Sequence, residues 1–378
     1  MIVGILLPTS STHPLIPHDL MAGIRASLKH TEMPVTLVPG YIGFGASADA
    51  VKTETEKLML EHDPDLIIAF VDHPIADTLF PLTAQLKKPL IIVNNGAKYA
   101  VDWKAPANVY FHTLENAYLS YLTSLHTAHL TNKGIMATSY YDGGYSLCHA
   151  LTQPFIDKGG EIIYNFAGSF KLTEFNALPM AELLRDNSDV RAILTVLSGE
   201  LLSPFYRQLA EALPGKELRF YSSPVTTDET IGLAADFPPA FAIEGFTGWY
   251  ANSGLPANIA FSGKIRETSK EPNAFSALGW DTGLILEKFM QLKNNGAPLH
   301  ELPEGAITGI EGAKGTLLLH ELSHRFVGDA YLLKHTSGSG TELLDTIGPA
   351  AGSSTFNEMI TQKIEGMTSG WLNTYLCS

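Results

Sequence analysis

The sequence is poor in cysteine, in basic residues and in long apolar runs. Its two cysteines, Cys148 and Cys377, cannot form the disulfide framework of a small secreted domain. No stretch approaches the roughly 18 consecutive apolar residues of a membrane-spanning helix, so we expect no direct membrane insertion. With 25 Lys and Arg against 39 Asp and Glu, the net charge is −14 and no basic patch is found. This charge excludes a nucleic-acid partner, because the field repels phosphate.

The chain has 378 residues, of which 45% are hydrophobic and 17% are charged. A single core stops growing near roughly 250–300 residues, so the length predicts more than one globular unit. Met1 is followed directly by the strand-like Ile2–Leu7, without a basic segment or a cleavage site before it. We therefore expect either a cytoplasmic protein or a periplasmic one whose export signal was trimmed and replaced by Met1.

Short apolar strands alternate with amphipathic helices along the first 110 residues, and the pattern restarts at Asn116. The strands Ile2–Leu7, Leu66–Val71 and Leu90–Val93 are continuous apolar runs, which is typical of parallel sheets covered by helices on both faces. The sequence therefore predicts an α/β protein with two doubly wound parallel units. Residues 309–334 lack the helical period and suggest a hairpin, and 336–340 suggest a linker before a short helical appendix that reaches Ser378.

Ligands of open parallel sheets bind beyond the carboxyl ends of the strands, so the residues there are candidate site residues. Hydroxyls and amides at such places suit a carboxylate or another small polar group, although plain helix capping is the alternative. The residues in question are Thr9 to His13, Asp72 and His73, Asn94 to Gly96, Tyr140 to Tyr145, Ser198 to Glu200, and Ser222 to Asp228. The aromatic residues Trp249, Tyr250 and Trp280 are candidates either for a pocket wall or for the core.

The segment His320–His324 has the form H-E-x-x-H. On a helix this spacing places two imidazoles on one face for zinc, with Glu321 as a general base. The flanks of the segment are strand-like, however, and His335 does not lie at the spacing of a third ligand. We therefore expect a hairpin turn without a metal site, and zinc hydrolysis is the weaker alternative.

The order of several short motifs resembles the type I periplasmic solute-binding proteins of the branched-chain amino-acid (Leu/Ile/Val) class. Each motif is weak alone, but together they follow the family's order over about 330 residues. They are the opening strand and loop Ile5–Ser11 with Gly23, the turn Asp142–Tyr145, Lys158–Glu161, Glu174–Leu178, Glu244–Phe246, Ala277–Gly283, and the pair Gly312 and Gly315.

The resemblance implies two lobes joined by a three-crossing hinge, with a ligand cleft between them and closure on binding. We place lobe 1 at residues 1–113 plus 247–300, lobe 2 at 114–246 plus 301–335, and a C-terminal appendix at 336–378. The expected ligand-binding residues are Ser10, Ser11, Asp72, His73, Asn95 and Gly96 of the first lobe, and Tyr140, Tyr141, Glu200 and Thr226 of the second.

The sequence departs from the family where its members grip an amino acid. Asp72 and His73 replace a serine-rich loop, Lys98 stands near a lost threonine, and Val225 or Thr226 stands where an acidic residue is expected. We expect a small polar ligand, an amino acid or a related carboxylate or amide, captured for an ABC-type membrane permease. No catalytic residue, cofactor or metal is expected. A cytoplasmic ligand sensor of the same fold and a zinc hydrolase are the alternatives.

Overall fold

The computed structural model describes residues 1–362 except Thr12, Tyr145, Phe170, Ala234, Ala235, Glu304 and Thr308. Tyr145 of the turn motif Asp142–Tyr145 and residues 363–378 of the expected C-terminal appendix therefore lie outside the described residues. The described helices are α1 (Ile16–His30), α2 (Ala48–His62), α3 (Phe80–Gln85), α4 (Asn116–Leu130), α5 (Ser146–Asp157), α6 (Leu178–Asp186), α7 (Leu202–Ala212), α8 (Pro224–Leu233), α9 (Pro256–Arg266), α10 (Ala274–Asn294) and α11 (Pro349–Thr361).

The strands form two large sheets and one small one. They are β1 (Ile2–Leu7), β2 (Thr36–Tyr41), β3 (Leu66–Phe70), β4 (Leu90–Asn94), β5 (Val109–Thr113), β6 (Lys133–Ser139), β7 (Glu161–Gly168), β8 (Ala192–Val196), β9 (Leu218–Ser222), β10 (Phe241–Thr247), β11 (Ile310–Gly312), β12 (Gly315–Leu319), β13 (Phe326–Val327), β14 (Ala330–Thr336) and β15 (Gly340–Ile347).

The first sheet has the order β2-β1-β3-β4-β5, and its described pairs are all parallel. Every residue of β3, β4 and β5 is buried, because helices cover both faces of the sheet. One face packs against α1 and α10 through a core that includes Leu20, Ile24 and Phe289. The other face packs against α2 and α3. This part of the chain is the first lobe.

The second sheet has the order β15-β14-β10-β9-β8-β6-β7. Strands β6 to β10 are parallel, whereas β14 and β15 add to the β10 edge in antiparallel orientation. Helices α4 and α5 cover one face, and the other face packs against α6 and α7 around an aromatic core with Phe205, Tyr206 and Phe220. The expected α/β class with two doubly wound parallel sheets is confirmed.

The chain passes between the lobes three times, after β5, after β10 and after β13. The third passage lies further along than expected, because residues 310–327 pack on the first lobe and not on the second. Ile310, Leu317 and Phe326 belong to the core of the first sheet. The Asp281 carboxylate of α10 also accepts hydrogen bonds from the backbone amides of Ala313 (2.6 Å) and Lys314 (3.2 Å), which fixes this hairpin to the lobe.

The expected linker and appendix after His335 differ from the structure as well. Residues 337–339 form a tight hairpin turn, and β15 continues the second sheet by pairing with β14. Helix α11 then packs on the second lobe, where Phe356 contacts the Tyr118 ring and Tyr118 donates to the Gly352 carbonyl at 3.1 Å. Among the described residues, no helix is both long enough and apolar enough to cross a membrane.

Candidate functional site

The carboxyl ends of the parallel strands in the two sheets face one another across a cleft. The loop after β1 meets the start of α8 there, and Nε2 of His13 lies 2.9 Å from Oε1 of Glu229. The second oxygen of Glu229 accepts a hydrogen bond from the Gly199 amide at 2.5 Å. A single carboxylate of the second lobe thus contacts both the first lobe and the loop after β8.

A cavity of about 510 Å³ opens beside this contact. Its size lies in the range of roughly 300–1,000 Å³ that is usual for sites of small organic molecules. Both lobes and two of the passages between them contribute to the wall. The lining residues are His13, Leu114, Asn116, Val225, Asp228, Glu229, Ile231, Gly232, Trp249, Tyr250, Ala251, Asn252, Pro272, Asn273, Ala274, Phe275, Leu333 and Thr341.

Three aromatic rings, Trp249, Tyr250 and Phe275, lie in this wall. Trp249 lies two residues after β10, and its ring is fixed because Nε1 donates to Oδ1 of Asn258 at 2.8 Å. Asn258, at the start of α9, also donates to the backbone carbonyl of Ala251 at 2.9 Å. The second passage between the lobes is therefore ordered by one buried amide, and the ring is held in place before any ligand binds.

The charged groups of the cavity wall are two carboxylates and one histidine. Glu229 has the partners named above, whereas the Asp228 carboxylate has no hydrogen-bond or ion-pair partner within the described part of the chain. Burial and the neighbouring Glu229 charge raise the pKa of Asp228 to about 8. Neither Lys nor Arg stands among the described lining residues. Within the described wall, a positively charged ligand group can therefore pair with Asp228 or Glu229, whereas a negatively charged group finds no Lys or Arg.

His13, from the candidate stretch Thr9 to His13, lines the cavity, whereas the six expected ligand-binding residues of the first lobe lie outside the described wall. The Ser10 side chain accepts from the His13 amide at 2.8 Å and so positions that histidine, whereas Ser11 is exposed. The Asn95 carbonyl accepts from the Asn116 amide at 3.1 Å. Gly96 has a φ of +67°, and a Cβ there would lie 2.5 Å from the Glu115 amide, so the position requires glycine.

Asp72 and His73 follow β3, where the sequence predicted a contact with the ligand. Asp72 is buried, and its charge opposes the desolvation that lowers the pKa of Lys98. The His73 ring stacks on Phe111 at 5.3 Å between centroids, and its Nδ1 lies 2.7 Å from Oδ1 of Asp77. These contacts place His73 against the aromatic core of the first lobe and not in the cavity wall.

Val225 and Asp228, from the candidate stretch Ser222 to Asp228, line the cavity, whereas the four expected ligand-binding residues of the second lobe lie outside the described wall. Tyr140 is 59% exposed and its ring packs edge-on against Tyr141, while Glu200 is exposed beyond β8. Thr226 is fully buried, and its hydroxyl donates to the Leu197 carbonyl at 2.7 Å and accepts from the Leu197 amide at 2.9 Å. The Thr226 hydroxyl therefore joins α8 to the end of β8, and this structural role differs from the expected contact with a ligand.

The H-E-x-x-H segment forms the turn between β12 and β13, as the strand-like flanks predicted. The amide of His320 donates to the Arg325 carbonyl at 2.7 Å across the turn. The two imidazoles have different partners: Nε2 of His320 lies 2.8 Å from Oδ1 of Asn357, and Nδ1 of His324 lies 3.0 Å from the Val109 carbonyl. Within the described ranges, no group of three or more His, Cys, Asp or Glu side chains converges as a metal site.

Trp249 and Tyr250, which the sequence offers as candidates for a pocket wall, both line the cavity. Trp280, the third candidate, is 1% exposed and belongs to the core of the first lobe. The residues that the sequence analysis did not single out include Glu229, Asn273 and Phe275. The signal for Glu229 was its position beside Asp228 in the helix that follows β9, at the carboxyl edge of the sheet.

The fold has two doubly wound lobes, three connections between them, and a cavity where the strand ends face each other. Together these features define a two-lobed binding protein. A family model described as periplasmic binding protein matches residues 18–339. The chain belongs to this family of periplasmic binding proteins. A search of curated protein sequences gives no match.

Solved structures of low sequence identity share the fold. An ABC transporter substrate-binding protein from Sphaerobacter thermophilus has 17% identity and a TM-score of 0.76, over 92% of this chain and 98% of that one. A solute-binding protein of an ABC transporter from R. palustris in complex with benzoate has 20% identity and a TM-score of 0.71, over 92% and 96%. The branched-chain amino acid transporter substrate binding protein LivJ from Streptococcus pneumoniae in complex with isoleucine has 15% identity and a TM-score of 0.67, over 91% and 99%.

Proposed function

We propose that this protein is the solute-binding component of an ABC-type uptake system and holds a small organic molecule in the cavity between its lobes. The observation that carries the proposal is the cavity itself, because its wall combines both lobes, three aromatic rings and a carboxylate without a partner. Aromatic walls with few, well-placed polar groups are typical of sites for small molecules. Function here is binding without catalysis, in the periplasm, followed by delivery to a membrane permease.

Binding in this cavity is coupled to the closure of the lobes. A molecule that contacts Asp228 and Phe275 at once touches the second lobe and the first, so its binding energy favours the closed arrangement. The contact between His13 and Glu229 joins the two lobes at 2.9 Å, so it adds to the interactions that favour the closed arrangement. The solutes bound by the similar structures, benzoate and isoleucine, are of a size that fits this cavity volume.

The proposal is tested by thermal shift and calorimetry against amino acids, amides, aromatic acids and amines. Trp249→Ala removes one wall of the cavity, and we expect it to weaken binding of any ligand found by at least about tenfold, because a large aromatic contact is lost. Ile259→Ala is the control, since it removes an apolar side chain that is 63% exposed on α9 and lies outside the wall. Equal affinities of the two variants would place the ligand elsewhere.

A further inference from the structure

The charges in the cavity wall point to the class of ligand. We propose that the cavity selects organic cations, an amine joined to an aromatic or apolar body, with Asp228 as the counter-ion of the ammonium group. The inference rests on the proposed function, because it names the ligand class of the same site.

The first observation is the imbalance of charge around the cavity. Asp228 and Glu229 contribute two carboxylates, and no Lys or Arg among the described lining residues opposes them. A bound carboxylate would meet the Glu229 charge with no Lys or Arg in the described wall to offset it, which is unfavourable. The net charge of −14 for the whole chain also attracts cations to the protein.

The second observation is that the two carboxylates differ in their partners. Glu229 is engaged by the His13 ring at 2.9 Å and by the Gly199 amide at 2.5 Å. Asp228 lines the cavity one residue earlier, and its carboxylate has neither a hydrogen bond nor an ion pair in the described residues. The Asp228 side chain is partly exposed to the cavity, so an ammonium group there can supply the partner that the described residues do not.

The aromatic rings complete the site for a cation with an apolar body. Trp249, Tyr250 and Phe275 stand in the same wall as Asp228, and the faces of such rings attract ammonium groups as well as apolar surface. The Trp249 ring is held by Asn258, so little side-chain freedom is lost when a ligand packs on it. The amides of Asn116, Asn252 and Asn273 add neutral polar groups to the wall.

The Asp228 carboxyl group links binding to pH. Burial and Glu229 raise its pKa to about 8, so the carboxyl is mostly protonated at neutral pH in the free protein. Three other ionisable groups of the described wall face Asp228: Glu229 on the same helix, His13 from the loop after β1, and Tyr250 from the second passage. The lining residues of β14 and β15, Leu333 and Thr341, carry no charge. A bound ammonium group favours the charged carboxylate, so binding displaces one proton from Asp228.

Three probes with the same ring and chain test the charge preference: 2-phenylethylamine, 2-phenylethanol and phenylacetate, titrated by calorimetry or ligand-observed NMR. We expect the amine to bind at least about tenfold more tightly than the alcohol, and the acid to bind most weakly, because a charge-assisted hydrogen bond is gained only by the amine. Asp228→Asn should reduce amine affinity by at least about tenfold and leave the alcohol within about threefold.

Proton release is measured by calorimetry in phosphate and in Tris, whose ionisation enthalpies differ. We expect nearly one proton released per amine at neutral pH, an amine affinity that rises from about pH 6 to 8, and neither effect in Asp228→Asn. Tightest binding by phenylacetate, or amine binding without proton release, would overturn the inference while the proposed function stands. Failure of every probe and of the wider panel to bind the wild-type protein would instead count against the proposed function.

Discussion

The passages between the lobes contain a buried ion pair whose loss we expect to destabilise the protein strongly. Arg325, just before the third passage, donates to both oxygens of Glu115 at 3.2 Å, and Glu115 begins the first helix of the second lobe. The two side chains are only 5% and 7% exposed. Arg325→Met keeps an unbranched apolar side chain, but it removes the guanidinium carbon that lies 5.4 Å from the centroid of the Phe111 ring and leaves the Glu115 carboxylate without this cation.

Breaking a buried pair from one side costs about 3–5 kcal/mol, because a charge remains buried without compensation. The cost at this site falls at the lower end, since the Thr113 hydroxyl still donates to Oε1 of Glu115 at 2.7 Å. We therefore expect Arg325→Met to lower the free energy of unfolding by about 3 kcal/mol. For a unit of 150–250 residues this corresponds to a fall in Tm of about 6–12 °C.

Urea unfolding followed by circular dichroism measures the loss, and two further variants make the result specific. The double variant Arg325→Met/Glu115→Gln no longer carries the Glu115 charge, so it should recover part of the stability lost in the single variant. Arg266→Met breaks the pair with Glu271, whose side chains are 60% and 85% exposed, and should cost less than about 1 kcal/mol. An Arg325→Met protein as stable as Arg266→Met would refute the reasoning.

Two other variants probe packing and titration. Gly23→Ala puts a Cβ 2.0 Å from the Ser276 carbonyl oxygen and 2.6 Å from the Trp280 amide, so it should push α1 away from α10 and lower the Tm. Gly263→Ala meets open space on α9 and should raise the free energy of unfolding by about 0.5–1 kcal/mol. Burial raises the pKa of Asp142 to about 6, so the folded state holds a proton that the unfolded state loses between about pH 4 and 6. The contribution of Asp142 to the free energy of unfolding therefore falls as the pH rises from about 4 to about 6. Urea unfolding at these two pH values should show a smaller fall for Asp142→Asn than for the wild-type protein. Equal stabilities of the two glycine variants, or equal pH slopes for wild type and Asp142→Asn, would contradict these expectations.

Much of the fold follows from the sequence because buried parallel strands have an unambiguous pattern. The predicted bounds Ile2–Leu7 are those of β1, and β3 and β4 are the continuous apolar runs that were recognised. The sequence predicts one hairpin over residues 309–334 in the second lobe, but residues 310–327 form β11 to β13 on the first lobe and only β14 joins the second sheet. Which lobe holds a short hairpin depends on the hydrogen bonds from Asp281 to Ala313 and Lys314, which no local periodicity reveals.

The sequence predicts which edge of the sheets carries the site, but it predicts only some of the residues in the cavity wall. Polar residues follow most strands at that edge, and the pattern does not distinguish a hydroxyl used inside the lobe, such as that of Thr226, from a group that faces the cleft. Asp228 and Glu229 face the cleft because of how α8 is rotated on its sheet. Phe275 reaches the wall from the other lobe, so only the packing of the two lobes brings these residues together.

A crystal structure of the protein with the tightest-binding solute tests the proposed binding site most directly. We predict density for one molecule between the lobes, packed on Trp249 and Phe275 and within hydrogen-bond distance of the Asp228 carboxylate. A saturated crystal with the solute bound outside this cavity, on the surface of a single lobe, would contradict the assignment of the cavity as the solute site.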